Sequence, residues 1–273
     1  RRFMDAARST PLQSPKLGLA SGMGLVIANM MGVGVLISAG FLVQDMSPTL
    51  VMAAWVIGLW LALCGVLAYA GLATSVNRSG GEYRFLSEIF HPIFGIMAGW
   101  ASLFVGFSAP IAISAIAFGA FGQTLGIDID ERILAAIALV VLLMVHSMTM
   151  KTSVHGQNFL VVLKVVLITS LVILGLCFGN WTLPDWNQPI SDAKGSMMSF
   201  IQSQYWIAFA FSGWNSAIYC IDEFRNPKRD AARAMFWGCL AVGMLYLLVN
   251  WVFVANITPE DGAVVFSYAE ERV

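Results

Sequence analysis

"MMGVGVLIS", residues 30–38, lies inside an uncharged stretch that runs from Leu17 to Val43, long enough to be a single membrane-spanning helix. Two glycines one residue apart argue against a continuous one. Glycine costs a helix interior about 1 kcal/mol relative to alanine, and a β-branched valine separates the pair, so Met31 to Val35 is where the helix is expected to lose its turn. In lipid a broken helix leaves N–H and C=O groups with no water to satisfy them. Something must use those groups.

Composition sets the class around this stretch. Of 273 residues, 58% are hydrophobic and 11% charged, with a mean hydropathy of +0.76, against roughly 25% charged in a soluble domain. The chain reads as an all-α polytopic membrane protein. Apolar segments of the roughly 20 residues a spanning helix needs are expected near 18–42, 50–74, 93–121, 133–150, 157–179, 198–221 and 234–256. The third contains Pro110 and is expected to be long and kinked. Cys64, Cys177, Cys220 and Cys239 form no CxxC pair, which suggests neither a disulfide framework nor a metal site. His91, His146 and His155 are too scattered for either metal ligation or a catalytic dyad, and no cofactor is implied.

Lysine and arginine positions set the orientation. With the N-terminus in the cytoplasm, inner segments hold Arg1, Arg2, Arg8, Lys16, Arg78, Arg84, Lys151, Arg225, Lys228, Arg229 and Arg233, while outer ones hold only Arg132, Lys194 and Arg272. The bias places the N-terminus inside a plasma (inner) membrane. A seven-helix receptor, the rival reading, would have it outside. A retinal pump would need a lysine in its last span, and 234–257 contains none. No cluster of carboxylates, histidines or nucleophiles at membrane depth suggests an enzyme, and nothing suggests a nucleic-acid partner.

A second interruption follows in "YWIAFAFSGWNSAIYCIDEF", residues 205–224, where Ser212, Gly213, Asn215 and Ser216 break an aromatic and aliphatic span. Paired interrupted helices at corresponding positions are the best sequence pointer to the central site of a transporter. A break exposes a half-helix N-terminus that attracts a carboxylate and a half-helix C-terminus that attracts an ammonium. An α-amino acid carries both groups on one carbon.

"MMGVGVL" resembles the glycine-rich break in the first helix of the amino acid–polyamine–organocation superfamily. "FAFSGWN" with "DEFRNPKRDAARA" resembles its sixth helix and the following loop, and "SGGEYRFLSEIF", residues 79–90, its glycine-glycine-x-tyrosine loop. The resemblance implies a LeuT-like five-plus-five inverted-repeat fold, here truncated after about seven helices, with helices 1 and 6 interrupted. It further implies a first repeat over 18–179 after a cytoplasmic segment 1–17, an extracellular loop 180–197, helices 6 and 7 over 198–256, and the start of another loop at 257–273. The function implied is secondary transport of amino acids, closest to neutral permeases and exchangers. Proton-coupled symport and exchange both stay open, as does an amino acid/polyamine exchanger. The expected partners are an amino acid, a co-transported proton and membrane lipid; the oligomeric state is open.

The same resemblance assigns the site. The substrate carboxylate is expected on the amides of Met31, Gly32, Val33, Gly34 and Val35. The ammonium is expected on carbonyls of Phe209, Ala210, Phe211 and Ser212, with Phe209 also as an aromatic lid. Lys164, an ammonium among aliphatic neighbours, must meet a partner on another helix or be neutral part of the time. By the resemblance it stands where sodium-driven relatives hold a cation, and is the candidate for proton coupling. Glu223, at the inner end of the sixth helix, is expected to bridge to Arg78 or Arg84 and help close a gate. Other readings stand beside these: glycines 32 and 34 as packing residues, and Lys164 as an interfacial anchor. "SGGEYRFLSEIF" itself reads as a short amphipathic interfacial helix.

Overall fold

The structure, a computed structural model, describes residues 17–76, 78–147, 150–179 and 193–256. The expected segment 1–17 apart from Leu17, the loop up to residue 192 and the tail 257–273 lie outside these residues. The elements are α1 (Leu19–Met30), α2 (Gly34–Asp45), α3 (Pro48–Ser75), α4 (Gly81–Ile89), α5 (Pro92–Thr124), α6 (Glu131–Ser147), α7 (Met150–Phe178), α8 (Ala193–Phe211), a 3-10 segment (Trp214–Glu223) and α9 (Pro227–Asn256). Among the described residues four helical stretches, Pro48–Ser75, Pro92–Thr124, Asn158–Phe178 and Pro227–Asn256, are long and apolar enough to cross a membrane.

Both expected interruptions are present. α1 stops at Met30 and α2 starts at Gly34, and α8 stops at Phe211 ahead of Gly213. Boundaries move where helix-start chemistry extends an element. α9 begins at Pro227, seven residues before its apolar run, because proline suits the first helical position and Asp230 sits in the positive first turn. α8 likewise begins at Ala193, inside the stretch expected to be loop.

α5 passes Pro110 without ending. Proline removes an amide donor, and the helix accommodates it by widening into a π-helical turn at Ser102–Ser108. Here the Ala109 amide reaches back five residues to the Phe104 carbonyl, and Ser108 Oγ donates to the Leu103 carbonyl at 2.8 Å.

The core lies where α1, α2, α3, α8 and α9 meet. Trp55 of α3, Phe211 of α8 and Tyr246 of α9, all buried, form an aromatic triad with ring centroids 5.5–5.8 Å apart. Small residues let the helices approach: a Cβ at Gly58 would collide with Ile207, and one at Gly243 with Leu59. Elsewhere the helices turn large apolar side chains outward, among them Trp100, Phe104, Leu143 and Phe159. This is the pattern of a surface bathed in lipid.

Candidate functional site

The two breaks face each other. A Cβ at Gly34 would lie 3.1 Å from Ala210 Cα and 3.2 Å from Phe209 Cδ1, and one at Gly213 would lie 2.9 Å from the backbone carbonyl of Asn29. Gly213 also has φ +100°, which L side chains adopt only with strain. Each break therefore leans on the backbone of the other, and glycine supplies the clearance. Gly34 has the packing role considered above as well as its place in the break, whereas a Cβ at Gly32 would meet no atom closer than 3.9 Å.

At the first break the backbone turns through Met31 (φ −71°, ψ 86°) into Val33, and no side chain caps the start of α2. A helix start leaves its leading amides without intrahelical acceptors and carries a partial positive charge. The amides around Val33 to Val35 are thus a place for an anion. Met31 and Val35 point their side chains into the core, at 1% and 0% exposure, and the Met31 amide closes the last turn of α1, so of these two only Val35 offers its amide at this helix start.

The other side of this break is a helix end, and its carbonyls have partners. The Ile27 carbonyl accepts from the Met31 amide at 3.0 Å. The Ala28 carbonyl accepts from Lys164 Nζ at 2.5 Å, and the Met30 carbonyl accepts from the Tyr246 hydroxyl at 2.7 Å. A cation at the negative end of a half-helix is the favourable placement. Lys164 therefore reaches across from α7 to the break itself, which disfavours the interfacial-anchor reading. Tyr246 was not singled out from the sequence. Its signal was a phenol in the middle of an apolar span, where the hydroxyl must find an acceptor.

At the second break, Ser212 N donates to the Phe209 carbonyl at 3.0 Å and Ser216 N to the Gly213 carbonyl at 3.1 Å. Phe209 is half-buried over the start of α2, Ser212 is exposed, and Ala210 and Phe211 are buried. Phe211 belongs to the aromatic triad, so its side chain is core and not pocket lining.

The end of the helix group that carries Leu17 is closed by groups other than those expected. Leu17 pairs with the loop after the 3-10 segment: its amide donates to the Glu223 carbonyl at 2.7 Å, and its carbonyl accepts from Arg225 N at 2.9 Å. Phe224 is fully buried, against Gly22 and Ala234. The Glu223 side chain is exposed and, among the described residues, forms no ion pair with Arg78 or Arg84. Arg84 instead pairs with Glu88 at 3.1 Å, one turn along α4, a local partner that needs less ordering than a distant one.

Glu82 is the carboxylate that the sequence reading left on an interfacial helix. Its Oε1 accepts from Asn215 Nδ2 and its Oε2 from the Tyr219 hydroxyl, both at 2.6 Å. Gly80 (φ +129°) and Gly81 (φ +58°) turn the chain so that this carboxylate points inward; a Cβ at Gly81 would collide with the Tyr219 ring. No group of three or more His, Cys, Asp or Glu that could hold a metal occurs among the described residues.

Known proteins similar to this chain in sequence are amino acid transporters. The b(0,+)-type amino acid transporter 1 of Oryctolagus cuniculus is 28% identical over 267 residues, 94% of this chain and 54% of its own. The human protein of that name is 28% identical over 278 residues, 96% of this chain and 57% of its own. The human large neutral amino acids transporter small subunit 2 is 26% identical over 263 residues, 90% of this chain and 48% of its own. The chain spans about half the length of the curated relatives it matches. The amino acid permease family profile matches residues 17–267, and the chain belongs to that family.

Proposed function

We propose that this chain forms the first repeat and the start of the second repeat of a LeuT-like secondary transporter for amino acids, with the substrate held between the two helix breaks. The observation that carries the reading is the apposition of those breaks. An uncapped helix start at Val33–Val35 offers amides to a carboxylate, and the carbonyls ending α8 near Phe209–Ser212 lie across from it to receive an ammonium. A zwitterion satisfies both partial charges at once. Phe209, half-buried over Gly34, is the lid.

Lys164 supplies a fixed cation at the end of α1, so the site needs no sodium ion there, and the lysine is the group whose proton couples to transport. The names of the relatives, one of them a transporter of large neutral amino acids, support a neutral substrate. The surplus of lysine and arginine on alternate connections supports a cytoplasmic N-terminus. The end closed by Leu17, Phe224 and Glu223 is then the inner gate, to which Glu223 contributes its carbonyl.

The test is uptake of radiolabelled leucine, alanine and lysine into vesicles holding the polypeptide that carries this sequence, in sodium-free buffer with and without a pH gradient. Neutral amino acid uptake without sodium is expected, and its response to the gradient or to internal amino acid separates symport from exchange. Absence of both uptake and binding, or a strict sodium requirement, overturns the reading.

A further inference from the structure

The helices fall into two packed sets. α1, α2, α3, α8 and α9 pack together with the 3-10 segment, while α4, α5 and α6 pack in sequence beside them. The main meeting points are α7, which touches both sets, and the junction of α4 with the 3-10 segment. Around that junction Phe85 of α4 is buried against the Tyr69 ring of α3, and a polar cluster lies beside it. Glu82, from the α4 set, accepts from Asn215 and Tyr219 of the 3-10 segment at 2.6 Å each.

Three residues back along the chain, Ser79 and Asp222 pair reciprocally: Ser79 N donates to Asp222 Oδ2 at 3.1 Å, and Asp222 N donates to Ser79 Oγ at 2.9 Å. Residues 79–82 thus grip the 3-10 segment along most of its length, while its Ala217, Ile218 and Ile221 are buried in the core. A cavity of about 230 Å³, lined by Gly80, Tyr83, Ser102 and Phe107 among others, lies beside the Tyr219 ring, which meets the Phe107 ring with centroids 5.5 Å apart.

We infer that the Glu82 carboxylate is a clasp between the two helix sets: it ties the 3-10 segment to residues 79–89, and its release from Asn215 and Tyr219 lets the segment open locally on that face. This rests on the transporter reading only for its purpose; the clasp itself is a mechanical property of the chain. Both carboxylate oxygens are occupied, and hydrogen bonds to an ionised acceptor are the strong ones. Opening must therefore break two such bonds together, which makes Glu82 a positioning residue and not a substrate contact.

The test is amide hydrogen exchange in lipid nanodiscs without substrate, on the polypeptide that carries this sequence. Glu82→Ala is expected to speed exchange across 214–223 about tenfold or more. Tyr219→Phe, which removes one hydroxyl, should do so in part, as should Glu82→Gln, which leaves one accepting oxygen. The double variant Glu82→Ala/Tyr219→Phe is expected to equal Glu82→Ala alone. Unchanged exchange in Glu82→Ala, or in both milder variants should Glu82→Ala fail to fold, overturns the clasp. So do effects that simply add in the double variant. Uptake assays score the transporter reading separately: a clasp without transport, or transport without a clasp, tells the two failures apart.

Discussion

Tyr246→Phe removes a single oxygen from a fully buried ring and leaves the shape of the aromatic triad intact. The lost atom donates to the Met30 carbonyl at 2.7 Å, where α1 gives up its own hydrogen bonding. Rings 5.8 and 5.5 Å away on Trp55 and Phe211 stay in contact with a phenylalanine, so the substitution isolates the hydrogen bond. An acceptor left unpaired in a buried site costs about 1–3 kcal/mol, and with Tyr246 at 0% exposure no water offsets it. That is a loss of about five- to 140-fold in the folding equilibrium, since 1.4 kcal/mol is tenfold.

Thermal unfolding in detergent, followed by tryptophan fluorescence, reads it as a lowered Tm. The substrate-induced rise in Tm should shrink as well, because the carbonyl end of the break is no longer fixed. Tyr246→Leu, which also removes the ring contacts, should cost more by about 0.5–1.5 kcal/mol for each aromatic pair lost. If Tyr246→Phe unfolds and binds like the unaltered protein, the hydroxyl does not hold the break and the account of the α1 terminus is wrong.

Other consequences are equally direct. Gly34→Val should abolish amino acid binding and lower stability by about 1–3 kcal/mol, because its side chain meets Ala210 and Phe209 at 3.1–3.2 Å; Gly32→Ala, in open space, should bind nearly as before in the same calorimetric titration. Lys164→Ala should remove uptake or its response to a pH gradient, since the Ala28 carbonyl loses its donor; full gradient-dependent uptake in the variant would exclude the proton role. Glu223→Gln should leave uptake and leak unaltered, because the part of Glu223 that closes the end is its carbonyl; a raised leak would return the role to the side chain.

The legible part of this fold was the part written in backbone preference. Two glycines around a valine, and small polar residues inside an aromatic run, forecast breaks within 31–35 and 212–216, and the helices stop at 31–33 and 212–213, because the cost of keeping them helical is local. Partners across helices are different. Nothing near Lys164 in the chain points to the Ala28 carbonyl, 136 positions away; only the need for some partner could be read. Glu82 looked like a solvated residue on an amphipathic helix, and the two positive-φ glycines that aim it inward are a feature of geometry, not of composition. Arg84 was assigned to a distant glutamate when a nearer one, Glu88, stood four residues on. The competition between local and remote pairing is settled by ordering cost, which favours the neighbour.

The widened turn at Ser102–Ser108 has a consequence for how α5 tolerates change. A π-turn holds one residue more than the α-helix needs, and each residue of an α-helix accounts for about 100° of rotation. The wide turn absorbs that surplus ahead of Ala109 to Thr124, which includes the face where Gly119 and Gly122 receive α6. A one-residue deletion within 102–108 would remove the surplus, retighten the coil and keep that face turned toward Glu131 and Leu134, whereas the same deletion in the ordinary helical turns of Pro92–Ala101 would turn the residues before it by about 100° against α4.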